Sequence, residues 1–147
     1  MRIPSSILLA LTVGLALALP AGAAEEPKQA TFYKSPDCTC CAGHAAYLKR
    51  NGIQVKIIET PDLAEVKKRH GVRPELQSCH TIVLDGYVIE GHMPIGAIRK
   101  LLSERPAIKG IALPGMPFGS PGMGGMKERP FVIYEITENE KRVFATE

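Results

Sequence analysis

Three of the chain's four cysteines lie within one four-residue turn, and that turn joins a strand-like run to a helix-like run. Residues 30–33 are β-prone and end at a Ser-Pro-Asp turn signal over residues 35–37. The cysteines follow at once, in the motif C-T-C-C over residues 38–41. Cysteines that only fill a core would be scattered, so this cluster indicates a chemical site at a strand-to-helix junction.

Residues 1–23 have the composition of a secretory signal peptide. Arg2 precedes an apolar run over residues 7–19, which is too short to cross a bilayer as a helix, and small residues follow. Cleavage after residue 23 or one residue later would leave Ala24 or Glu25 at the N-terminus. We therefore expect the leader to be removed and residues 24–147 to form one exported domain.

The exported part carries no signature of a nucleic-acid or membrane protein. Without Arg2, 17 of the 18 basic residues remain against 15 acidic ones, and the two signs are intermixed. Aromatic residues are few, so nucleic-acid binding has little support, and no second apolar run could span a membrane. A domain of this size needs no disulfide staples. Its exported cysteines are therefore expected to be paired, held by metal or reactive.

The remaining patterns alternate between strand and helix. Asn51-Gly52 ends the first helix, and Asp85-Gly86 is a strong signal for a hairpin. The resulting βαβαββα order predicts an α/β sandwich of the thioredoxin type with a mixed sheet. Helices are expected over residues 42–50, 60–71 (capped by Thr60, with Pro61 in the first turn) and 94–103, and further strands over residues 53–57, 81–84 and 87–90.

The C-terminal part differs in composition. Residues 105–130 are rich in glycine, proline and methionine and are expected to form a long loop, which is usually functional or disordered. Residues 131–136 and 142–145 then predict a terminal hairpin.

The cysteine turn suits either redox or metal chemistry. Cys38 and Cys41 have C-x-x-C spacing at a helix N-terminus, where the helix dipole favours thiolate. Thiolate is both the nucleophile of disulfide exchange and a soft-metal ligand. Cys40 adds a third sulfur, which a dithiol cycle does not require and a soft-metal site can use.

A fourth sulfur is expected to meet these three. Cys79 lies just before the predicted strand 81–84, in the loop that packs beside the C-x-x-C turn in thioredoxin-like folds. That loop usually carries a proline, whereas here His80 follows the cysteine. We therefore predict that four sulfurs converge, with His80 and His44 at the rim of the site.

Thiolate and thioether ligands together select Cu(I). Met116, Met123 and Met126 lie in the glycine-rich loop and are candidate secondary donors, although methionines there can also serve as gap fillers. His70 is interpreted as a helix-end residue. Two other interpretations of the cysteines are disulfides or inert thiols, with three connectivities available, and structural zinc, which usually uses two separated cysteine pairs.

Several motifs together resemble the CopG-type periplasmic copper-resistance proteins, a thioredoxin-like metal-binding family formerly of unknown function. The resemblance covers nearly all of residues 24–147. Its motifs are Ser35-Pro36-x-Cys38-x-Cys40-Cys41, Asn51-Gly52, Cys79-His80-Thr81, Asp85-Gly86-Tyr87-Val88-Ile89-Glu90-Gly91-His92 and Pro114-Gly115-Met116-Pro117.

This resemblance implies a periplasmic protein of copper resistance that holds Cu(I) through Cys38, Cys40, Cys41 and Cys79. It also implies a redox role in interconverting copper states and, as partners, other periplasmic copper-handling proteins. Adjacent thiolates can bridge ions, so more than one Cu(I) per chain is expected.

Three functions therefore remain open. The first is copper binding, with His44, His80 and the loop methionines as secondary donors. The second is a thiol-disulfide oxidoreductase in which Cys38 attacks and Cys41 resolves, and the third is a zinc-stabilised adaptor. Binding is favoured over enzymatic disulfide exchange because the chain has no tryptophan and His80 stands where proline is expected.

Overall fold

A computed structural model describes residues 28–147, so the predicted signal peptide lies outside the described residues. No helix within this range is both long and apolar enough to cross a bilayer. The strands are β1 (Gln29–Lys34), β2 (Gln54–Glu59), β3 (His80–Leu84), β4 (Tyr87–Glu90), β5 (Gly110–Ala112), β6 (Val132–Ile136) and β7 (Val143–Thr146). The helices are α1 (Thr39–Arg50), α2 (Leu63–Arg69) and α3 (Ile95–Glu104), and a short 3₁₀ turn covers Pro74–Leu76.

All seven strands form one mixed sheet in the order β2-β1-β3-β4-β5-β6-β7. The pairs β1-β2 and β4-β5 are parallel, and the other neighbours are antiparallel. This arrangement confirms the α/β sandwich with a mixed sheet that the element order predicts.

The strand residues alternate between two apolar layers, as the period of a β-strand requires. Ile82 and Ile89 pack with Leu48 of α1 and Ile98 of α3 in the larger layer. On the opposite face, Val88 packs in a smaller cluster with residues from around the 3₁₀ turn. The side chain of residue 80 therefore faces the α1 side of the sheet, and those of residues 81 and 90 face the α2 side.

Helices α1 and α2 begin more than one residue away from their predicted starts. Helix α1 starts at Thr39 with Cys38 as its N-cap, so the cysteine turn forms the first helical turn rather than preceding it. Helix α2 starts at Leu63, because the Asp62 carboxylate accepts a hydrogen bond from the Glu65 amide. The Thr60 hydroxyl instead accepts a hydrogen bond from the Asp62 amide, just before the helix.

The segment predicted as a loop over residues 105–130 contains strand β5. Gly110 lies so close to the backbone of Val88 that a Cβ atom would overlap it, and this contact allows the parallel pairing with β4. A three-residue strand that begins with glycine carries almost no periodicity, so its sequence does not indicate a strand. The terminal hairpin, by contrast, is present as predicted.

Candidate metal centre

The N-terminus of α1 carries three sulfurs. Cys38 caps the helix with extended backbone (φ −78°, ψ 96°), and its side chain makes no capping hydrogen bond. Cys40 and Cys41 follow in the first turn, where Cys40 is half-buried and Cys41 is fully buried. The Cys40 Sγ lies 3.6 Å from the Cys38 Sγ. The helix N-terminus thus presents these sulfurs with the positive end of its dipole behind them.

Cys79 brings a fourth sulfur from the residue before β3. Its Sγ lies 3.7 Å from the Cys41 Sγ and 3.9 Å from the Cys40 Sγ. All four sulfurs lie within 4.8 Å of one another, although Cys79 is separated from the turn by almost forty residues. The predicted convergence of the sulfurs is therefore present.

Two of the four sulfurs are joined. Cys38 and Cys41 form a disulfide with a Cα–Cα distance of 5.5 Å, and Cys40 and Cys79 are free. A disulfide sulfur has no thiolate to offer a metal. The full four-sulfur donor set therefore requires reduction of this bond.

A row of three buried histidines extends from Cys79. The Cys79 Sγ lies 3.1 Å from Nδ1 of His80 and 3.0 Å from Nε2 of His92. Nε2 of His80 lies 2.7 Å from Nδ1 of His44. The row ends at two backbone carbonyls, those of Met93, 3.0 Å from His44 Nε2, and Pro121, 2.7 Å from His92 Nδ1.

These contacts assign the ring protons. A carbonyl only accepts, so His44 donates from Nε2 to Met93 and His92 donates from Nδ1 to Pro121. A neutral imidazole has one N–H, so His44 Nδ1 accepts from His80 Nε2. Nδ1 of His80 and Nε2 of His92 are then both unprotonated and both face the Cys79 sulfur.

A single thiol proton satisfies only one of these two nitrogens. A metal ion bound by the Cys79 thiolate would accept both lone pairs. Histidines that bind metals typically donate their other N–H to a carbonyl or similar acceptor, as His92 does here. The arrangement of Cys79, His80 and His92 is therefore one that could hold a metal ion.

Burial keeps these groups uncharged. Desolvation lowers the pKa of His44 to about 4 and lowers the pKa of His80 and of His92 below the ordinary value. Desolvation, followed by the nearby Cys40, raises the pKa of the Cys79 thiol to about 12. The metal-free site thus favours neutral imidazoles and a protonated thiol, and a cation is required to stabilise the thiolate.

His92 was not predicted as a site residue. The ligand atoms of Cys79, His80 and His92 all lie within 4.8 Å of one another and form a second group that could hold a metal. The sequence does offer one signal for His92. This residue lies two positions after the predicted strand 87–90, which pairs with the strand that directly follows Cys79. His44 and His80 were expected at the rim, but the structure buries both completely behind Cys79.

The opposite face of the sheet supports the loop that carries Cys79. Glu90 is fully buried, and its carboxylate accepts hydrogen bonds from the Ser78 amide (2.7 Å) and the Thr81 hydroxyl (2.6 Å). Lys67 lies 2.5 Å from the same carboxylate and donates to Thr81 at 3.1 Å. Desolvation raises the pKa of Glu90, and Lys67 opposes this shift.

Part of the glycine-rich loop crosses the centre. The Gly115 amide donates to the Gln77 carbonyl at 3.0 Å, and the Ser78 hydroxyl donates to the Gly115 carbonyl. Further along the loop, Gly122 lies against Gly43 of α1. A Cβ atom added to Gly43 would lie only 3.0 Å from the Gly122 carbonyl oxygen. Of the three predicted methionine donors, Met123 is half-buried, whereas Met116 and Met126 are exposed.

Two solved structures resemble the whole described chain. The structure titled "Copper resistance protein copG- Form 2" is 37% identical, with a TM-score of 0.76, and the match covers 83% of this chain and 99% of that one. "Copper resistance protein copG- Form 1" is also 37% identical, with a TM-score of 0.75 and coverages of 83% and 98%. The chain belongs to the CopG family.

A second comparison agrees with this assignment to the CopG family. Residues 76–123 match the family model described as "Protein of unknown function, DUF411". This stretch of the CopG-family chain contains Cys79, His80 and His92 together with the loop that crosses them. No curated protein matches the chain.

Proposed function

We propose that this protein binds Cu(I) in the periplasm and serves copper resistance or homeostasis. The observation that carries the proposal is the meeting of four sulfurs within 4.8 Å, with imidazole nitrogens of His80 and His92 lying 3.1 and 3.0 Å from one of them. Thiolate ligands select soft ions such as Cu(I). The copper-resistance titles of the two similar structures and the signal-peptide composition of residues 1–23 support the same function and compartment.

The proposed ligands form two overlapping groups. Cys38, Cys40, Cys41 and Cys79 provide sulfur ligands once the disulfide is reduced, and Cys79, His80 and His92 provide one sulfur and two nitrogens. Cys79 belongs to both groups, and a thiolate can bridge two ions. The chain is therefore proposed to bind more than one copper ion.

His44 and the methionines receive different roles. Both ring nitrogens of His44 are already engaged by His80 and Met93, so we assign it to orienting His80 rather than to binding copper directly. Met123 is half-buried and lies two residues after Pro121, whose carbonyl accepts a hydrogen bond from His92, so we assign it as the candidate thioether donor. Met116 and Met126 present their thioethers to solvent and are less well placed.

The test is anaerobic titration of the reduced chain with Cu(I) against a chromogenic chelator, followed by copper-edge and sulfur-edge X-ray absorption. We expect more than one Cu(I) per chain, with mainly sulfur and some nitrogen ligation. Zn²⁺ is the matched competitor, because structural zinc also accepts thiolates. Preferential zinc binding that Cu(I) does not displace, or no bound copper, would contradict the proposal.

The Cys38–Cys41 disulfide supports a second candidate function, thiol-disulfide exchange with Cys38 attacking and Cys41 resolving. Reduction of insulin by the metal-free chain tests this function. Strong turnover without stoichiometric copper binding would favour it over copper handling.

A further inference from the structure

The loop that crosses the metal centre has a strongly exposed apolar outer face. Met116, Phe118 and Met126 are 52%, 67% and 83% exposed, and Val132 lies close by in sequence at the start of β6. These are four of the six large apolar side chains that are exposed within residues 28–147. Their concentration between residues 116 and 132 marks this face as an interaction surface.

The face is grooved rather than flat. One groove of about 200 Å³ is lined by Phe118 and Met126, and a second of about 290 Å³ runs beside Val132 and Tyr134. Pro117, Arg129 and Phe131 line both grooves, so the two are adjacent. Concave, apolar and proline-lined surfaces of this kind accept side chains of a protein segment.

Unpaired cations surround these grooves. The Lys127 ammonium lies 4.7 Å from the Phe131 ring centroid, and the Lys141 ammonium lies 4.4 Å from that of Tyr134. Arg129 lines both grooves. None of the three forms an ion pair with a carboxylate of the described chain. Glu128 is the one acidic residue that lines either groove. The charge that complements this face is therefore negative.

The face is continuous with the metal centre. Gly115 precedes Met116 and is hydrogen-bonded to Gln77 and Ser78. Cys79 directly follows Ser78 in the chain. A molecule seated on the grooves would rest on the same loop that bonds to Ser78 through Gly115 and to His92 through Pro121.

We propose that this face docks a protein partner through a segment that presents apolar side chains flanked by carboxylates. A symmetric dimer through this face would bring the three cations of each copy together, so a second copy of the chain does not fit. The binding is proposed to involve the outer face of the loop together with the neighbouring groove residues of β6 and Lys141, and none of the proposed metal ligands. It therefore does not depend on which metal the cysteines hold.

The test is site-specific photo-cross-linking of the full chain in cells of the species that encodes it. A photoreactive residue replaces Phe118, and the control places it at Val143, which is 57% exposed in β7 and lines neither groove. We expect a protein adduct at position 118 and not at position 143, with a cross-linked segment that mass spectrometry identifies as acidic and apolar. The double variant R129E/K141E should abolish the adduct.

The identified segment is then synthesised and titrated against the purified chain. We expect its affinity to fall at least about tenfold for Phe118→Ala and to stay unchanged for Val143→Ala. Equal adducts at both positions, adducts to lipid or to a second copy, no adduct, or insensitivity to the charge reversal would each overturn the proposal. Copper titration of R129E/K141E separates the two proposals, because docking can be lost while Cu(I) stoichiometry is retained.

Discussion

Cys79 has surroundings that the other cysteines lack. Its Sγ contacts sulfurs of the α1 turn on one side and two imidazole nitrogens on the other. The proton on that sulfur can satisfy one nitrogen at a time, whereas a bound cation satisfies both. At the scale of single residues, a metal ion would satisfy this centre more fully than another hydrogen bond would.

Replacing His92 with asparagine should isolate this nitrogen ligand. The asparagine amide can still donate to the Pro121 carbonyl in place of Nδ1, but it leaves no lone pair at the position of Nε2. Loss of groups that only orient a ligand typically weakens metal binding 10–100-fold, so loss of the ligand itself should cost at least about a hundredfold for one ion. Cu(I) titration against a chelator measures this change.

His70→Asn is the matched control, because His70 is half-buried at the end of α2 and contacts Tyr33 on the face of the sheet opposite to His44 and His80. Unchanged copper binding in His92→Asn, or an equal loss in His70→Asn, would remove His92 from the ligand set.

Acid should destabilise the metal-free chain through His44. The folded pKa of His44 is lowered to about 4 by burial, so the unfolded chain takes up a proton near pH 6.5 and the folded chain does not. Stability is therefore highest above pH 6.5 and falls as the pH drops towards 4, by about 3 kcal/mol from this residue. Urea unfolding at several pH values measures the slope. His44→Gln, which retains a donor towards Met93, should flatten it, and an unchanged slope would contradict this assignment.

The residues of the site were predictable to different degrees. Clustering in sequence identified Cys38, Cys40 and Cys41, and the fold placed Cys79 with them. His92 was missed because no local pattern distinguishes a ligand histidine from a packed one. The burial of His80 involves a contact with Phe32, whose ring stacks on the imidazole with 4.4 Å between the ring centroids. Such a contact between residues distant in the chain cannot be predicted from the local sequence around His44 or His80.

At the scale of elements, the Lys67–Glu90 pair connects α2 to β4, and the same Glu90 carboxylate accepts a hydrogen bond from Ser78 in the loop before β3. Lys67→Met would leave the Glu90 carboxylate buried without its cation, which should lower the free energy of unfolding by about 3–5 kcal/mol. Chemical denaturation measures the loss, and adding Glu90→Gln to the same chain should recover part of it. Lys109→Met is the control, because its pair with Glu138 is exposed and should contribute less than about 1 kcal/mol. A similar effect from both lysine variants would show that the buried pair has no special role.

The contact of the loop with α1 depends on Gly122. Its φ is +85°, and a Cβ atom there would collide with the His44 amide, so Gly122→Ala should detach this part of the loop. Hydrogen exchange over residues 116–126 should accelerate, and Cys79 should alkylate faster. Gly124→Ala is the control, since Gly124 has no positive φ and no heavy atom within 4 Å of a Cβ atom. Equal exchange rates in the two variants would contradict a fastening role for Gly122.

The elements were predicted best where the periodicity was long. Helix α3 and the Asp85-Gly86 hairpin formed within one residue of their expected bounds, because a repeated apolar spacing and a turn signal specify them locally. Strand β5 was missed because it exists only through pairing with its neighbours. Ile57 lies in the predicted strand β2 but is 40% exposed, and β2 is an edge strand of the sheet.

At the scale of the whole molecule, two oxidation states compete for the same sulfurs. The Cys38–Cys41 disulfide removes two of the four sulfur ligands, and bound copper would hold the same sulfurs as thiolates. In a compartment that permits oxidation, each state therefore excludes the other. Bound metal should therefore stabilise the folded, reduced chain and prevent oxidation and alkylation of its thiols.

This competition predicts the response of the chain to copper. A ligand that binds only the folded state at a thousandfold excess over its dissociation constant raises the free energy of unfolding by about 4 kcal/mol. We expect an increase of this order when Cu(I) is added to the reduced chain, together with loss of thiol alkylation by iodoacetamide. The oxidised chain is the matched control: it lacks two sulfur ligands and should show a smaller increase. Equal alkylation with and without Cu(I), or equal stabilisation of the reduced and oxidised chains, would mean that copper does not bind through these four sulfurs.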